Sequence, residues 1–499
     1  GSIDINSLYP SVIRALNMGP ETIVGQLRPI ITSAEVNRAK SQKKSFAAAW
    51  DNQFGSWEYQ AVMNKEKGTE VLVDWTDGTS VRMSAAQLYD VVFEANNKWM
   101  LSANGTIFTY EFEAIIPGLL KRWYAERKEM QRKMHDAGDN EIEKEYWDKR
   151  QLVKKINLNS LYGAILNPGC RFFDMRIGQS VTLTGRCITK HMGAKVNEII
   201  GGKYDHVGQS IIYGDTDSVY FSAHKTLAKE IESGSIPWTK ESVISLYDKI
   251  ADEVNTTFAS YMNKAFHCPT TRGAVIKAGR ELVALKGLFI TKKRYAVLYY
   301  DKEGERVDKT GKEGKVKAMG LDLKRSDTPV FVQNFLSDVL YKVLIGNTEE
   351  EVLKAISEFR SDFKARPGWE KGSPKRANNV TDYWEKEKKQ GKANMPGHVR
   401  ASINWNTCRQ MYGDKYSLPI TDGAKVIVCK LKNNPLNYTS IAYPVDELRI
   451  PDWFKDLPFD SEAMEQTILD QKIDNLIGVL DWDVQSTETS NTFNKLFEF

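Results

Sequence analysis

The spacing of apolar positions divides the chain into segments with helical and strand periodicity. Residues 3–13 alternate and then become apolar, which predicts a strand leading into a short helix near Tyr9 and Pro10, because proline is favoured near helix starts. Residues 117–135 have the period of a basic amphipathic helix, and a second long helical segment follows the turn DAGD, with Asp139 as its expected N-cap. Two long helices joined by a short turn predict an antiparallel helical hairpin.

Strand patterns lie on both sides of this helical hairpin. Residues 209–223, QSIIYGDTDSVYFSA, predict a strand, a tight turn and a second strand, and residues 288–307 form another β-rich stretch. Residues 29–104 have a mixed pattern, within which EVLVDWTDGTSVRM predicts a hairpin at its Asp-Gly step. Beyond about residue 326 the pattern is mainly helical and highly charged. We therefore expect an α+β fold.

Composition and charge indicate an ordinary globular protein. The 499 residues are 41% hydrophobic and 27% charged with a net charge of +4, so a nucleic-acid surface would have to come from local clusters of Lys and Arg. The five cysteines are scattered without metal-ligand spacing, which is typical of a reducing, cytoplasmic compartment. No apolar run approaches the roughly 18 residues of a membrane span, so no membrane association is expected.

The turn YGDTDS, residues 213–218, contains the most informative carboxylates. Asp215 and Asp217 lie two residues apart between apolar strands, and their charges would repel unless a cation lay between them. Asp4 lies in another predicted strand with similar surroundings. Hard oxygen ligands favour Mg²⁺, and three acids on adjacent strand ends suit two-metal phosphoryl or nucleotidyl transfer. The alternative is a polar hairpin turn, since Asp, Gly, Thr and Ser all favour turns.

The predicted helical hairpin carries candidate phosphate ligands. Lys155, Asn159 and Tyr162 are spaced to lie on one face of the second helix, and Arg127 lies on the first helix among further basic residues. Arg and Lys from two helices would bind a triphosphate, Arg through its planar fork and Lys as a point charge. The alternative is a solvated basic face supported by ion pairs with neighbouring glutamates.

Four segments together resemble the motifs of family B DNA polymerases. DINSLYPSVIR is similar to the first palm motif and KKINLNSLYGA to the fingers motif. YGDTDS is similar to the second palm motif, and TKKRYA to the segment that holds the primer–template. The resemblance is strongest to the replicative polymerases of T-even-type bacteriophages and covers essentially the whole chain. Each motif alone is moderately specific, whereas all of them in this order are very specific.

The resemblance implies a right-hand polymerase fold and template-directed DNA synthesis from dNTPs. The antiparallel-sheet palm would comprise residues 1–113, with an elaboration at about 29–104, and residues 167–325. The fingers would be the helical hairpin at 114–166, and residues 326–499 would form a mainly helical thumb.

The resemblance also assigns a metal site. Asp4 and Asp217 would bind both catalytic Mg²⁺ ions, the carbonyl of Ile5 would complete one coordination shell, and Asp215 would assist nearby. Catalysis would thus depend on Asp4, Asp215 and Asp217.

Further roles concern the nucleotide and the DNA. Ser7 and Leu8 would offer backbone N–H groups to the triphosphate. Tyr9 would stack under the sugar and exclude a 2′-hydroxyl, and the alternative is a core aromatic residue beside Pro10. The remaining expected dNTP ligands are Arg127, Lys155 and Asn159. The residues expected beside the nascent base pair are Tyr162 and Gly163. The residues expected at the primer–template are Lys292, Lys293, Arg294 and Tyr295.

The apolar C-terminal tail is expected to bind a sliding clamp. Its candidate contacts are Leu496, Phe497 and Phe499, and the alternative is a tail folded back on the thumb.

Three departures from the family pattern affect these expectations. Gln131 stands where the fingers motif usually carries a further Lys, which predicts a different or weaker grip on phosphate. Residues 29–104 match poorly, and no role is assigned to them. The N-terminal and exonuclease domains that normally precede the first palm motif are absent, which leaves an engineered truncation, a split gene product or a processed fragment. We expect a separate chain with an exonuclease as a partner.

Two other functions remain as alternatives. The chain could be a non-catalytic DNA-binding subunit, or a relic of a split polymerase, but such a protein has no need of the three acids and the triphosphate ligands. It could also be a different nucleic-acid polymerase, for example an RNA-primed or lesion-tolerant one, although Tyr9 disfavours ribonucleotides.

Overall fold

The structure, a computed structural model, describes residues 1–28, 55–308, 313–391, 394–484 and 487. Helices and antiparallel strands both contribute to it, so the expected α+β class is confirmed. Among the described helices, none is long and apolar enough to cross a lipid bilayer.

The chain folds into two compact units. The first comprises Gly1–Val283 with Asp301–Glu305, and the second comprises Ala284–Tyr300 with Arg306–Phe499. The helices described in the first unit are α1 (Leu8–Ala15), α2 (Trp57–Met63), α3 (Ala85–Tyr89), α4 (Ile115–Asp136), α5 (Glu141–Ile165), α6 (Met175–Gly201), α7 (Ala228–Glu232), α8 (Lys240–Phe266) and α9 (Thr270–Gly273). Its strands are β1 (Ser2–Ile5), β2 (Ile23–Leu27), β3 (Glu70–Trp75), β4 (Ser80–Ser84), β5 (Trp99–Leu101), β6 (Thr106–Thr109), β7 (Ile211–Gly214), β8 (Ser218–Phe221) and the first part of β9 (Ala278–Thr291).

The first strand of the chain lies inside an antiparallel sheet. β1 pairs with β8 on one side and with β9 on the other, and β7 pairs with the far edge of β8. Ile3 and Ile5 of β1 are fully buried, and β8 is buried along its whole length, as the apolar flanks of the YGDTDS turn indicate. α6 packs against β7, β8 and α1, so one long helix supports the two strands that flank the YGDTDS turn and the helix that follows β1.

The second sheet has the strand order β4-β3-β2-β6-β5. It contains the predicted hairpin, in which β3 and β4 pair across a tight turn. Gly78 of that turn has a φ of +89°, a conformation that favours glycine, and the Thr79 N–H donates to Oδ1 of Asp77 over 2.8 Å. The hairpin prediction is therefore confirmed.

The predicted helical hairpin is also confirmed. α4 and α5 pack along each other and are joined by a short turn. The N-cap of α5 is Asn140, whose side-chain oxygen accepts the Glu143 N–H over 3.3 Å. The prediction of Asp139 was thus wrong by one residue, because Asn140 is the residue whose side chain reaches an otherwise unpaired N–H in the first turn.

The second unit is more mixed than its sequence pattern predicts. Its described helices are α10 (Val330–Ile345), α11 (Glu349–Ala365), α12 (Val380–Gln390), α13 (Gly397–Met411), α14 (Asp452–Lys455), α15 (Ser461–Glu465) and α16 (Gln471–Ile477). Its strands are β10 (Arg294–Lys302), β11 (Glu305–Arg306), β12 (Lys315–Met319), β13 (Ser373–Ala377), β14 (Ala424–Lys430) and β15 (Ser440–Pro444), of which β10 and β11, like β9, cross the division along the chain.

A three-stranded antiparallel sheet, β13-β14-β15, was missed within the second unit. Trp405 of α13 is fully buried against this sheet together with Val426 and Ile441. The available signal was the run of three β-branched residues in AKVIVCK.

Candidate catalytic site

The opening strand lies directly beside the YGDTDS turn. The Ile5 N–H donates to the carbonyl oxygen of Asp217 over 2.8 Å, and the register of β1 and β8 pairs Asp4 with Ser218. Asp217 directly precedes Ser218, the residue opposite Asp4, so the backbones of Asp4 and Asp217 are close neighbours. Both aspartates are half-buried. The structure thus brings together the two acids that the sequence assigns to one site.

Hydrogen bonds hold the turn itself in shape. The Asp215 N–H donates to the carbonyl of Ser218 over 2.9 Å and closes the hairpin. One carboxylate oxygen of Asp215 accepts the Thr216 N–H over 2.8 Å and its hydroxyl over 3.3 Å. The carbonyl of Thr216 in turn accepts the hydroxyl of Thr189, on α6, over 2.9 Å. The Asp215 carboxylate therefore shapes the turn as well as contributing charge.

The donor atoms at this place suit Mg²⁺. Among the described residues no group of three or more His, Cys, Asp or Glu side chains is gathered closely enough to hold a metal ion. Mg²⁺ usually takes one or two carboxylates, keeps several waters and shares its shell with substrate phosphates, so it does not need such a group. Asp4, Asp217 and a backbone carbonyl are hard oxygen donors that fit this ion. The role of Ile5 and the number of ions stay predictions.

α1 begins with a sharp change of chain direction. Ser7 has a φ of +49°, in the left-handed region, and precedes the first helical residue, Leu8. The N–H groups at the start of a helix have no partners within the helix and point toward the preceding chain. The predicted offer of the Ser7 and Leu8 N–H groups to a phosphate is compatible with this position, since helix N-termini suit anions.

Two predicted nucleotide residues meet at the base of the helical hairpin. The rings of Tyr9 on α1 and Tyr162 on α5 lie 4.6 Å apart between centroids, at 53°. Partial burial raises the pKa of Tyr162, and the neighbouring Tyr9 is a smaller cause of the same shift. Gly185 of α6 lies against the same place, because a Cβ atom there would stand 3.5 Å from Cε1 of Tyr9 and 3.3 Å from Cδ2 of Leu8. Tyr9 therefore sits between α5 and α6.

The predicted phosphate ligands differ in their surroundings. Lys155 and Asn159 are exposed on α5, and nothing lies within 4 Å of a Cβ atom built on Gly163. Arg127 of α4 is half-buried, which lowers the pKa of its guanidinium, and its Nε donates to Oε1 of Gln151 over 3.2 Å. The face that contains Lys155 is therefore accessible to a ligand.

Other basic residues of the helical hairpin fit the alternative of a solvated face. Glu129 pairs with Arg132 over 2.8 Å and with Lys133 over 3.8 Å, and Glu126 pairs with Lys154 of the other helix over 2.5 Å. The ion-paired basic surface and the predicted phosphate ligands thus coexist on the same two helices.

The predicted primer–template turn lies in the second unit. Lys292 and Lys293 are exposed, and Lys293 has a φ of +62°. Tyr295 is buried and stacks on Phe289 with 5.6 Å between ring centroids. Arg294 donates to the carbonyl of Asn475 over 3.2 Å. The two lysines are thus on the surface of the turn, whereas Tyr295 supports the turn from inside.

The candidate clamp residues, Leu496, Phe497 and Phe499, lie outside the described residues, as does the part of the 29–104 elaboration between residues 29 and 54.

Sequence reasoning missed Gly185 and Thr189, which contact the site from α6. The available signal was a glycine followed four residues later by a threonine inside a long helix, where both residue types are unfavourable unless they serve a contact.

Comparison with known proteins agrees with the sequence motifs. The chain is 27% identical to the DNA-directed DNA polymerase of Escherichia phage RB69 over 477 residues. This aligned region covers 91% of this chain and 50% of that protein. It is 27% identical over 460 residues to the DNA-directed DNA polymerase of Enterobacteria phage T4, covering 89% of this chain and 49% of that protein. A DNA polymerase of Pyrococcus glycovorans is 27% identical over 282 residues, or 56% of this chain and 29% of that protein.

This chain therefore spans about half the length of the phage proteins that it matches. The family model for DNA polymerase family B matches residues 2–386, which is most of the chain. With the aspartate-bearing strands side by side and this match over most of its length, the chain belongs to DNA polymerase family B.

Proposed function

We propose that this chain carries out template-directed DNA synthesis, transferring nucleotides from dNTPs to the 3′-hydroxyl of a primer. The bond between the primer oxygen and the α-phosphorus forms as the bond to the leaving pyrophosphate breaks. The observation that carries the proposal is the hydrogen bond between β1 and the turn, which makes neighbours of Asp4 and Asp217. Membership of DNA polymerase family B supports it independently.

Asp4, Asp217 and the carbonyl of Ile5 would hold two Mg²⁺ ions. Bound Mg²⁺ lowers the pKa of an attacking hydroxyl and neutralises the charge that develops on pyrophosphate. Asp215 would assist by holding the turn in shape through its bonds to Thr216.

The triphosphate would be held from two sides. The Ser7 and Leu8 N–H groups would bind it from one side, and Arg127, Lys155 and Asn159 of the helical hairpin would bind it from the other. Movement of the helical hairpin toward a correctly paired nucleotide would align the reacting atoms and exclude water.

Recognition of the sugar and base would fall to the contact between Tyr9 and Tyr162. The Tyr9 ring lies against Tyr162 and Gly185, and in this position it would stack under the sugar and exclude a 2′-hydroxyl. Gly163, which has open space above it, would let a base pair approach the helix.

The partners implied are primer–template DNA and, through the C-terminal tail, a sliding clamp. DNA binding would come mostly from phosphate contacts by basic residues such as Lys292 and Lys293, and it should weaken as salt rises. A host-cytoplasm location and a separate exonuclease chain stay predictions from sequence.

The test is primer extension by this chain with Mg²⁺ and dNTPs, run beside NTPs. We expect Asp4→Asn and Asp217→Asn to lower extension by at least about 100-fold and to leave primer–template binding nearly unchanged. Asp77→Asn, in the exposed turn of the second sheet, is the matched control and should extend DNA like the wild type.

Wild-type extension by either site variant would overturn the proposed metal site. DNA binding without any extension by the wild-type chain would favour a non-catalytic DNA-binding subunit. Equal use of NTPs would contradict the role given to Tyr9.

A further inference from the structure

One helix reaches the centre of the aspartate turn. Thr189 of α6 is buried, with 8% of its surface exposed, and its hydroxyl donates to the carbonyl oxygen of Thr216 over 2.9 Å. Thr216 is the residue between Asp215 and Asp217. The contact therefore joins a rigid element to the loop position that no strand pairing restrains.

The same hydroxyl has a second possible acceptor. The carbonyl of Gly185, four residues earlier on α6, lies 3.1 Å from it. A hydroxyl has one proton, and back-bonding to the carbonyl four residues earlier is the usual behaviour of threonine inside a helix. The contact with Thr216 is the shorter of the two, and it is made to a different element. The hydroxyl thus links the turn to the helix rather than serving the helix alone.

The acceptor determines what this link can control. The Thr216 carbonyl and the Asp217 N–H belong to the same planar peptide group, so a bond to that oxygen fixes the plane from which Asp217 departs. The other side of Asp217 is fixed by the bond from the Ile5 N–H to its carbonyl oxygen. Both peptide groups that flank Asp217 are therefore anchored, one to α6 and one to β1.

We propose that Thr189 is a positioning residue for Asp217: its hydroxyl holds the peptide group that precedes this aspartate, so that the carboxylate faces Asp4 in the geometry that a divalent cation requires. This inference rests on the proposed function, because it concerns the metal site that the function needs. Residues that orient metal ligands without touching the metal commonly change metal affinity or activity by about 10–100-fold when they are replaced.

The test compares three variants of the full chain. Thr189→Val removes the hydroxyl at nearly constant volume, and Thr189→Ser restores it. Thr184→Val is the matched control, because Thr184 is a fully buried threonine on the same helix whose hydroxyl accepts the Ala103 N–H instead. Thermal unfolding of each variant reports the general cost of losing a buried hydroxyl.

Two readouts separate positioning from stability. The first is Mn²⁺ binding by electron paramagnetic resonance, with primer–template and a non-hydrolysable dNTP present. The second is the Mg²⁺ dependence of primer extension. We expect Thr189→Val to weaken Mn²⁺ binding and to raise the Mg²⁺ concentration for half-maximal extension, each by about 10-fold or more. Thr189→Ser and Thr184→Val should remain within about twofold of the wild type.

Equal metal dependence in the wild type and Thr189→Val would overturn the inference, as would the same change in Thr184→Val. A wild-type chain that binds Mn²⁺ without extending DNA would overturn the proposed function alone, since the Mn²⁺ comparison still decides the role of Thr189. A wild-type chain that binds no Mn²⁺ would overturn both.

Discussion

Gly320 offers a sharp test of how the predicted primer–template turn is built. It follows β12 and has a φ of +63°, and a Cβ atom placed on it would overlap the carbonyl oxygen of Lys293 and stand 3.1 Å from the carbonyl carbon. The obstacle is backbone, which cannot rotate away as a side chain can. Gly320→Ala should therefore strain the backbone at residue 320, which has a positive φ, and displace the turn that joins β9 to β10.

The size of the effect can be worked from two separate costs. Alanine at positive φ costs about 1 kcal/mol relative to glycine. Overpacking against a fixed neighbour costs about 1–3 kcal/mol more. Gly320→Ala should thus lower the free energy of unfolding by about 2–4 kcal/mol.

The second unit contains a matched control. Gly413 has the same φ of +63°, and nothing lies within 4 Å of a Cβ atom built there. Gly413→Ala therefore incurs the conformational cost alone, about 1 kcal/mol. The difference between the two variants isolates the overlap with Lys293.

The assay is urea unfolding of the full chain, followed by tryptophan fluorescence, together with primer–template binding. Gly320→Ala should unfold at lower urea than Gly413→Ala and, under the proposed function, should also bind DNA more weakly. Equal destabilisation by the two substitutions would refute the reasoning, because it would mean that the backbone contact carries no cost.

Two further predictions concern α6. Gly185→Ala would add a methyl group in contact with Tyr9 and press on Leu8, so it should change the ratio of dNTP to NTP incorporation. Gly193→Ala, whose Cβ would meet nothing closer than 3.7 Å, should leave the ratio unchanged. An unchanged ratio in both variants would argue against Gly185 as the surface behind Tyr9. Burial lowers the pKa of His191 from 6.5 to about 4. As the pH falls below 6.5, the unfolded chain therefore binds a proton at this histidine before the folded chain does, and the folded state loses stability. The free energy of unfolding should fall by about 3 kcal/mol between pH 7 and 4 because of this group. In His191→Gln the free energy of unfolding should depend less on pH across that range, and an equal or steeper pH dependence would contradict the prediction.

Much of the local structure could be predicted because its causes are local. The alternation around YGDTDS gave a strand on each side of the turn, and the 3.6-residue period of residues 117–165 gave the helical hairpin. The misplaced N-cap and the missed sheet of the second unit both depend on contacts that periodicity does not show. Capping depends on which neighbouring side chain reaches a free N–H, and a short strand depends on partners that lie far away in sequence.

What the sequence by itself determined is the helical hairpin, the strands beside the YGDTDS turn and the chemical character of the acids, the basic helix face and Tyr9, together with the family that the order of the motifs indicates. Only the tertiary structure decided that β1 lies against the turn, that Tyr9 touches Tyr162, and that Tyr295 is buried while Lys293 is exposed. It also decided that Thr189 reaches the Thr216 carbonyl. The physical reason is that periodicity fixes which face of an element is apolar, whereas strand pairing and helix packing fix which distant residues that face meets.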